Sequence, residues 1–189
     1  MKKKIIVSIS YVICAIAIFL VCVSNNEIKN DENKVASKEN EVVKDTEIEE
    51  TEELHRQLLL IIEKLIVEDN VDTFLFGSKS RFNDLCYETV TELKGKYPHI
   101  RRIYVRAEYS NIDEAYKSYL LMRYEDTYFP CSAVGAGRAV YLNRNREMID
   151  QSGFCVLYFR ESCSPKRRKS GTKAALEYAV KQKRIIVRL

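Results

Sequence analysis

Chemistry would gather first at Lys169-Ser170-Gly171-Thr172-Lys173. This segment follows a predicted strand and opens a helix whose inward positions are Ala175, Leu176 and Ala179. Free backbone N–H groups and the helix dipole make such a start a place for an anion, and Gly171 lets a ligand approach the backbone. Ser170 or Thr172 would cap the helix. An ordinary capped helix has the same sequence, and this is not a Walker A loop, because the spaced first glycine is missing. A second group lies between Arg138 and Asp150. Arg138 and Arg144 offer bidentate contacts to phosphate or carboxylate. On a helix from about 141, Asn145 shares a stripe with Tyr141, Met148 and Ile149, so its amide needs a partner in a loop or a ligand. Gly77-Ser78 is a third place, where a strand stops. Gly135-Ala136-Gly137 lacks the strand–turn–helix setting of a dinucleotide fingerprint and reads as a turn.

Other chemistries are poorly served. The chain has two histidines, His55 and His99, and six cysteines without a C-x-x-C pair, so no metal site is expected. Cys155, inside an apolar strand pattern, reads as a small core residue. No catalytic triad and no nucleophile–base pair is legible, and no cofactor is implied. Asp84 and Asp150 are the carboxylates that an enzyme acting on an N-glycosidic or phosphoester bond would have to use. An enzyme is therefore less favoured than a binding module.

Charge divides the 189 residues. Residues 27–53 hold 11 acidic and 4 basic side chains, whereas residues 54–189 hold 16 acidic and 24 basic. A positive domain suits an anionic ligand or surface without choosing among nucleotide, nucleic acid and acidic lipid. No nucleic-acid-binding motif is present. The basic cluster Lys166-Arg167-Arg168-Lys169 fits a solvated loop or a phosphate contact equally well.

The elements that must position these residues follow from periodicity. Leu54, Leu58, Ile61, Ile62 and Leu65 repeat at helical spacing, and Val71 to Phe76 is a strand stopped by Gly77-Ser78. A helix from about Phe82 to Leu93 precedes a strand at Ile100–Val105. Shorter helices are expected near Glu114–Met122 and Asn143–Ser152, a strand at Phe154–Phe159, a helix at Thr172–Gln182 and a last strand at Arg184–Leu189. Alternation of this kind implies an α/β domain with a mainly parallel sheet and helices on both faces. Ligands in such sheets bind beyond the carboxyl ends of the strands, here after Phe76, Val105 and Phe159.

Ahead of this domain, residues 1–4 are basic and residues 5–23 are uncharged. Nineteen residues at about 1.5 Å each span roughly one hydrocarbon core, so a single transmembrane helix is expected, with attachment to a membrane. A cleaved signal sequence and a lipoprotein box at Phe19-Leu20-Val21-Cys22 are the alternatives. The lysines before the run and the acidic stretch after it argue for a domain on the far side, whereas a nucleotide ligand would argue for the near side, so the side stays open. Residues 24–53 read as an acidic flexible tether leading to a domain over 54–189.

Val71-Asp72-Thr73-Phe74 with Gly77 and Phe82, then Glu92-Leu93-Lys94 with Lys96-Tyr97-Pro98-His99-Ile100, resemble the SLOG superfamily. Arg144-Asn145-Arg146 with Met148-Ile149-Asp150 and the run from Ser170-Gly171-Thr172-Lys173 to Tyr178-Ala179 continue the resemblance, which is closest to small stand-alone bacterial members. It implies a Rossmann-like three-layer sandwich and binding of a nucleotide or a nucleotide-derived ligand. Three departures qualify it. The family's first strand, ending in Gly-His-Arg, has no counterpart directly before Leu54, so that strand is expected to be missing. Such a gap exposes a sheet edge and invites pairing with a second copy, or marks a degenerate interaction domain. Asn83 stands where relatives often carry Asp. The glutamate of the related phosphoribohydrolases is replaced by Lys173, Ala174 and Ala175, which argues against hydrolysis of an N-glycosidic bond.

Overall fold

The structure, a computed structural model, describes residues 15–21, 39–77, 80–158 and 171–189. Eleven helices and strands alternate: β1 (Ala15–Val21), α1 (Glu39–Val67), β2 (Val71–Phe76), α2 (Arg81–Lys96), β3 (Arg101–Val105), α3 (Glu114–Leu121), β4 (Asp126–Tyr128), α4 (Val140–Gln151), β5 (Phe154–Tyr158), α5 (Gly171–Lys181) and β6 (Ile185–Arg188). Two short 3-10 turns, Cys131–Ala133 and Gly137–Ala139, lead into α4. The strands form one sheet in the order β4-β3-β2-β1-β5-β6, parallel at every pairing.

The alternation of each strand divides the core. Phe74 and Phe76 of β2 and Val156 of β5 pack with Leu58, Ile62, Phe82, Val90 and Leu120 from α1, α2 and α3. Leu75, Val105, Cys155 and Leu157 point the other way and pack with Met148, Ile149, Ala175 and Ala179 from α4 and α5. Strands buried on both faces are largely apolar, which is why β5 reads as an unbroken hydrophobic run and β2 ends in Phe74-Leu75-Phe76 after Asp72 and Thr73. Local signals fix the helix ends. Ser80 accepts a hydrogen bond from Asn83 N at 3.3 Å to start α2, and Asp113 accepts one from Tyr116 N at 2.7 Å to start α3. Asn70 closes the turn after α1 with a φ of 53°, a conformation asparagine tolerates better than most residues.

The largest difference from the sequence reading lies at the front. Ala15–Val21, inside the run read as a membrane helix, is a strand and occupies the middle of the sheet. It pairs with β2 over Ala15–Ile18 and with β5 over Ala17–Val21. The first strand expected to be absent is therefore present, drawn from further upstream than Leu54. The physical reason is that a doubly buried parallel strand and a bilayer helix share one signature, an uncharged apolar run. Among the described residues no helix is long and apolar enough to cross a membrane. The segment 39–53, read as tether, is the first part of the 29-residue helix α1. The remaining residues of the apolar run, 5–14 and 22–23, and the tether's 24–38 lie outside the described residues.

Candidate functional site

Each helix that follows a strand runs back antiparallel to it, so α2, α4 and α5 all begin at the carboxyl edge of the sheet. The strand order reverses between β1 and β5, and such a reversal opens a crevice at that edge. Gly77 lies there as the residue after β2, and Val105 ends β3.

Arg144, in the second turn of α4, reaches over both strand ends. It is 5% exposed. Its Nη1 donates to the carbonyl oxygens of Gly77 and, at 3.2 Å, of Val105. Its Nε donates to Asn145 Oδ1 at 2.9 Å, and Tyr141 lies beside the guanidinium, 5.8 Å from its ring centroid. Burial holds its pKa below the ordinary arginine value, opposed by Tyr104, Tyr141 and Glu108. Arginine nevertheless stays protonated in proteins, so a full charge is kept in this buried place. No carboxylate forms an ion pair with it among the described residues.

The hydrogen-bond inventory shows which donors are spoken for. Nε has one hydrogen and Nη1 has two, and these match the three acceptors found. Both hydrogens of Nη2 remain without a protein acceptor among the described residues. Asn145 Oδ1 must face the guanidinium, because only the oxygen can accept, so its Nδ2 group faces elsewhere and is likewise uncommitted among the described residues. Two adjacent donors are thus offered, one of them charged. The double fork expected of Arg144 from sequence is corrected here: both of its two-nitrogen edges include an engaged nitrogen, leaving an end-on contact through Nη2.

Gly77 is explained by the same geometry. A Cβ at this position would lie 2.6 Å from Arg144 Nη1, 2.9 Å from its Cζ and 3.0 Å from Met148 Sδ. Glycine leaves the volume that the guanidinium fills. At α5 the situation is the reverse: a Cβ on exposed Gly171 would meet nothing within 4 Å. Thr172, the next residue, is 2% exposed, and its Oγ1 has no hydrogen-bond partner among the described residues. A buried hydroxyl in the first turn of a helix, beside open space at the backbone, can donate to an anion.

The expected residues divide accordingly. Gly77, Arg144 and Asn145 form one bonded group, and Gly171 and Thr172 open α5 at the same edge of the sheet. Arg138 sits exposed on the second 3-10 turn, with no hydrogen bond or ion pair among the described residues that joins it to Arg144. Ser78 and Ser170 lie outside the described residues, as does the basic cluster 166–169. The stripe expected on α4 is also corrected: Tyr141 is 52% exposed, and Arg144 takes the inward place above Met148 and Ile149. Asn145 bonds its neighbour Arg144 rather than a loop backbone.

The candidate carboxylates fare differently. Asp150 lies at the far end of α4, where Tyr178 OH donates to it at 2.9 and 3.0 Å, so it is remote from the carboxyl edge. Asp84 is exposed in the first turn of α2, on the face opposite α4. Glu108 is the carboxylate whose field reaches Arg144, and its position after β3 was the only sequence signal for it. Among the described residues no group of His, Cys, Asp and Glu that could hold a metal ion is present. No protein-family model and no curated protein matches the chain.

Proposed function

We propose that the protein is a binding module for a nucleotide or a nucleotide-derived anionic ligand, held at the carboxyl edge of a Rossmann-like domain of the SLOG type. The observation that carries this reading is Arg144, a buried cation anchored through Nε and Nη1 to neutral acceptors, with Nη2 uncommitted among the described residues. A buried charge with no ion pair among the described residues is costly, and an anion in the crevice would offset that cost. Thr172 and the open backbone at Gly171 add donors at the start of α5. Asn145 Nδ2 supplies a neutral donor, which suits phosphate or carboxylate oxygens. The resemblance to the SLOG superfamily supports a nucleotide over other anions. Hydrolysis of an N-glycosidic bond is less well supported, because Asp150 is engaged at the opposite end of α4.

The test is thermal unfolding of the full chain with AMP, ADP, ATP and GMP, and with inorganic phosphate as a control. A ligand at about a hundred times its Kd adds about 2.7 kcal/mol. For a chain of this size that raises Tm by about 5–10 °C. Arg144→Ala is expected to remove the shift, and Arg144→Lys as well, since an ammonium cannot hold three anchoring bonds in this geometry and still present a donor. The proposal fails if no nucleotide raises Tm, or if the Arg144→Ala protein shifts as far as the wild type.

A further inference from the structure

Tyr141 stands in the first turn of α4, three residues before Arg144 and so about one helical turn nearer the start of the helix. α4 begins at the carboxyl edge of the sheet, and Arg144 already covers the ends of β2 and β3. Tyr141 therefore lies one turn beyond the strand ends. Long side chains on a helix lean toward its N-terminus, which carries the ring further out above that edge. Met148, two turns along the same face, is buried, whereas Tyr141 is half exposed. Its ring centroid is 5.8 Å from the guanidinium carbon of Arg144, within reach of a cation–π contact. Among the described residues no other aromatic ring packs against it and its hydroxyl has no hydrogen bond. An apolar face is thus left open beside the uncommitted donors of Arg144 and Asn145.

We propose that Tyr141 is the base-stacking residue of the ligand site: the planar ring of the ligand lies on the exposed face of Tyr141 while its anionic group takes Arg144 Nη2 and Asn145 Nδ2. This rests on the nucleotide-binding reading above and adds to it the side chain that meets the base. Charge alone does not separate a nucleotide from inorganic phosphate or a sugar phosphate. An aromatic face 5.8 Å from the cation does, because only a ligand that carries an anion and a planar ring close together uses both. Stacking of a base on an aromatic side chain is worth about 5- to 150-fold in affinity. It is tolerant of base identity, since every base has a π face. Tyr141 therefore sets the preference for a nucleotide over a sugar phosphate and leaves AMP and GMP nearly equal.

The experiment is isothermal titration calorimetry of the full chain with AMP and with ribose 5-phosphate, which keeps the sugar and the phosphate and lacks the base. The wild type is expected to bind AMP about 5- to 150-fold more tightly than ribose 5-phosphate. Tyr141→Ala should bring that ratio close to one. Losing the cation–π contact also loosens Arg144, but this weakens both ligands together, so the ratio reads the stacking alone. Tyr141→Phe keeps the ring and should keep the ratio. Because Tyr141 is half exposed, both variants should unfold without ligand at nearly the wild-type Tm. An unchanged ratio in Tyr141→Ala, or a ratio lost in Tyr141→Phe, overturns the stacking role while AMP binding, and with it the proposed function, still stands. A wild-type protein that binds neither AMP nor ribose 5-phosphate overturns both.

Discussion

Gly77→Ala is the most direct probe of the buried arginine. The substitution adds one methyl group, and that carbon would fall 2.6 Å from Arg144 Nη1 and 2.9 Å from Cζ, well inside contact distance. Gly77 is not among the residues with positive φ, so alanine brings no backbone strain of its own. The main cost therefore arises where the guanidinium must move, with a smaller share where Met148 Sδ, at 3.0 Å, must give. Moving it breaks the bonds from Nη1 to the Gly77 and Val105 carbonyls. Hydrogen bonds from a charged donor contribute about 1.5–3 kcal/mol. The arginine is the far end of a flexible side chain and can swing outward to regain about one bond's worth of contact, so a net cost in that single-bond range is expected. For a chain of this size it lowers Tm by about 3–12 °C. Urea unfolding gives the free energy, and a double-mutant cycle with Arg144→Ala assigns it. In the Arg144→Ala background the added methyl group should cost less than about 0.5 kcal/mol, since its main obstacle is gone and uncoupled sites add within that margin. An equal cost in both backgrounds would refute the reasoning, because the clash would then lie with Met148 or the backbone. So would a Gly77→Ala protein as stable as the wild type.

The structure makes two further predictions. Glu125 accepts from Arg102 Nη2 at 2.7 Å, from Arg102 Nε at 3.2 Å and from the Arg102 backbone at 2.6 Å. Desolvation raises its pKa, but these bonds and the charges of Arg102 and Lys94 outweigh it, so the folded value lies below the ordinary 4.5. A depressed carboxylate pKa contributes stability that is present above the unfolded value and lost as pH falls through the folded one. Glu125→Gln should therefore cost about 1–3 kcal/mol at neutral pH, and the loss should shrink in urea titrations taken below about pH 4. A constant difference across that range would contradict this assignment. For the thiols, Cys131 is exposed, whereas burial raises the pKa of Cys86 well above the ordinary thiol value and that of Cys155 to about 12. Iodoacetamide followed by peptide mass spectrometry should label Cys131 in the native protein, and Cys86 and Cys155 only after unfolding.

Much of the fold was legible where one period dominates. Val71–Phe76 and Phe154–Tyr158 are strands where apolar runs predicted them, and the helices at α2 and α5 follow their apolar spacing closely. β4 was not legible. Asp126-Thr127-Tyr128 carries no apolar pattern, and its place is set by pairing with β3 and by Thr127 Oγ1 donating to the Tyr104 carbonyl at 2.9 Å. Of the site, the glycines and the Arg144-Asn145 pair could be picked out, but not their arrangement. Helical periodicity puts Arg144 one turn above Met148, yet hydropathy counts arginine as solvent-facing, and a buried arginine is rare without a carboxylate to pair with. The clue that would have placed it was Gly77, a glycine at a strand end whose φ is not positive.

The same arginine joins two strand ends at the carboxyl edge. β2 and β3 end there with carbonyls that no further strand residue can satisfy, and a buried unpaired carbonyl costs free energy comparable to a lost hydrogen bond. Arg144 satisfies one from each strand, at Gly77 and at Val105, and so ties α4 to both. Neutral oxygens can hold a guanidinium without cancelling its charge, whereas a carboxylate in their place would fix it and neutralise it together. The two strand ends are therefore tied together by a side chain that keeps its charge. A scaffold needing only rigidity would do as well with apolar packing, since replacing a buried charge by a well-fitted apolar side chain is often neutral or stabilising. The charge is the part that structural need leaves over, and the anionic ligand proposed above would give it a use.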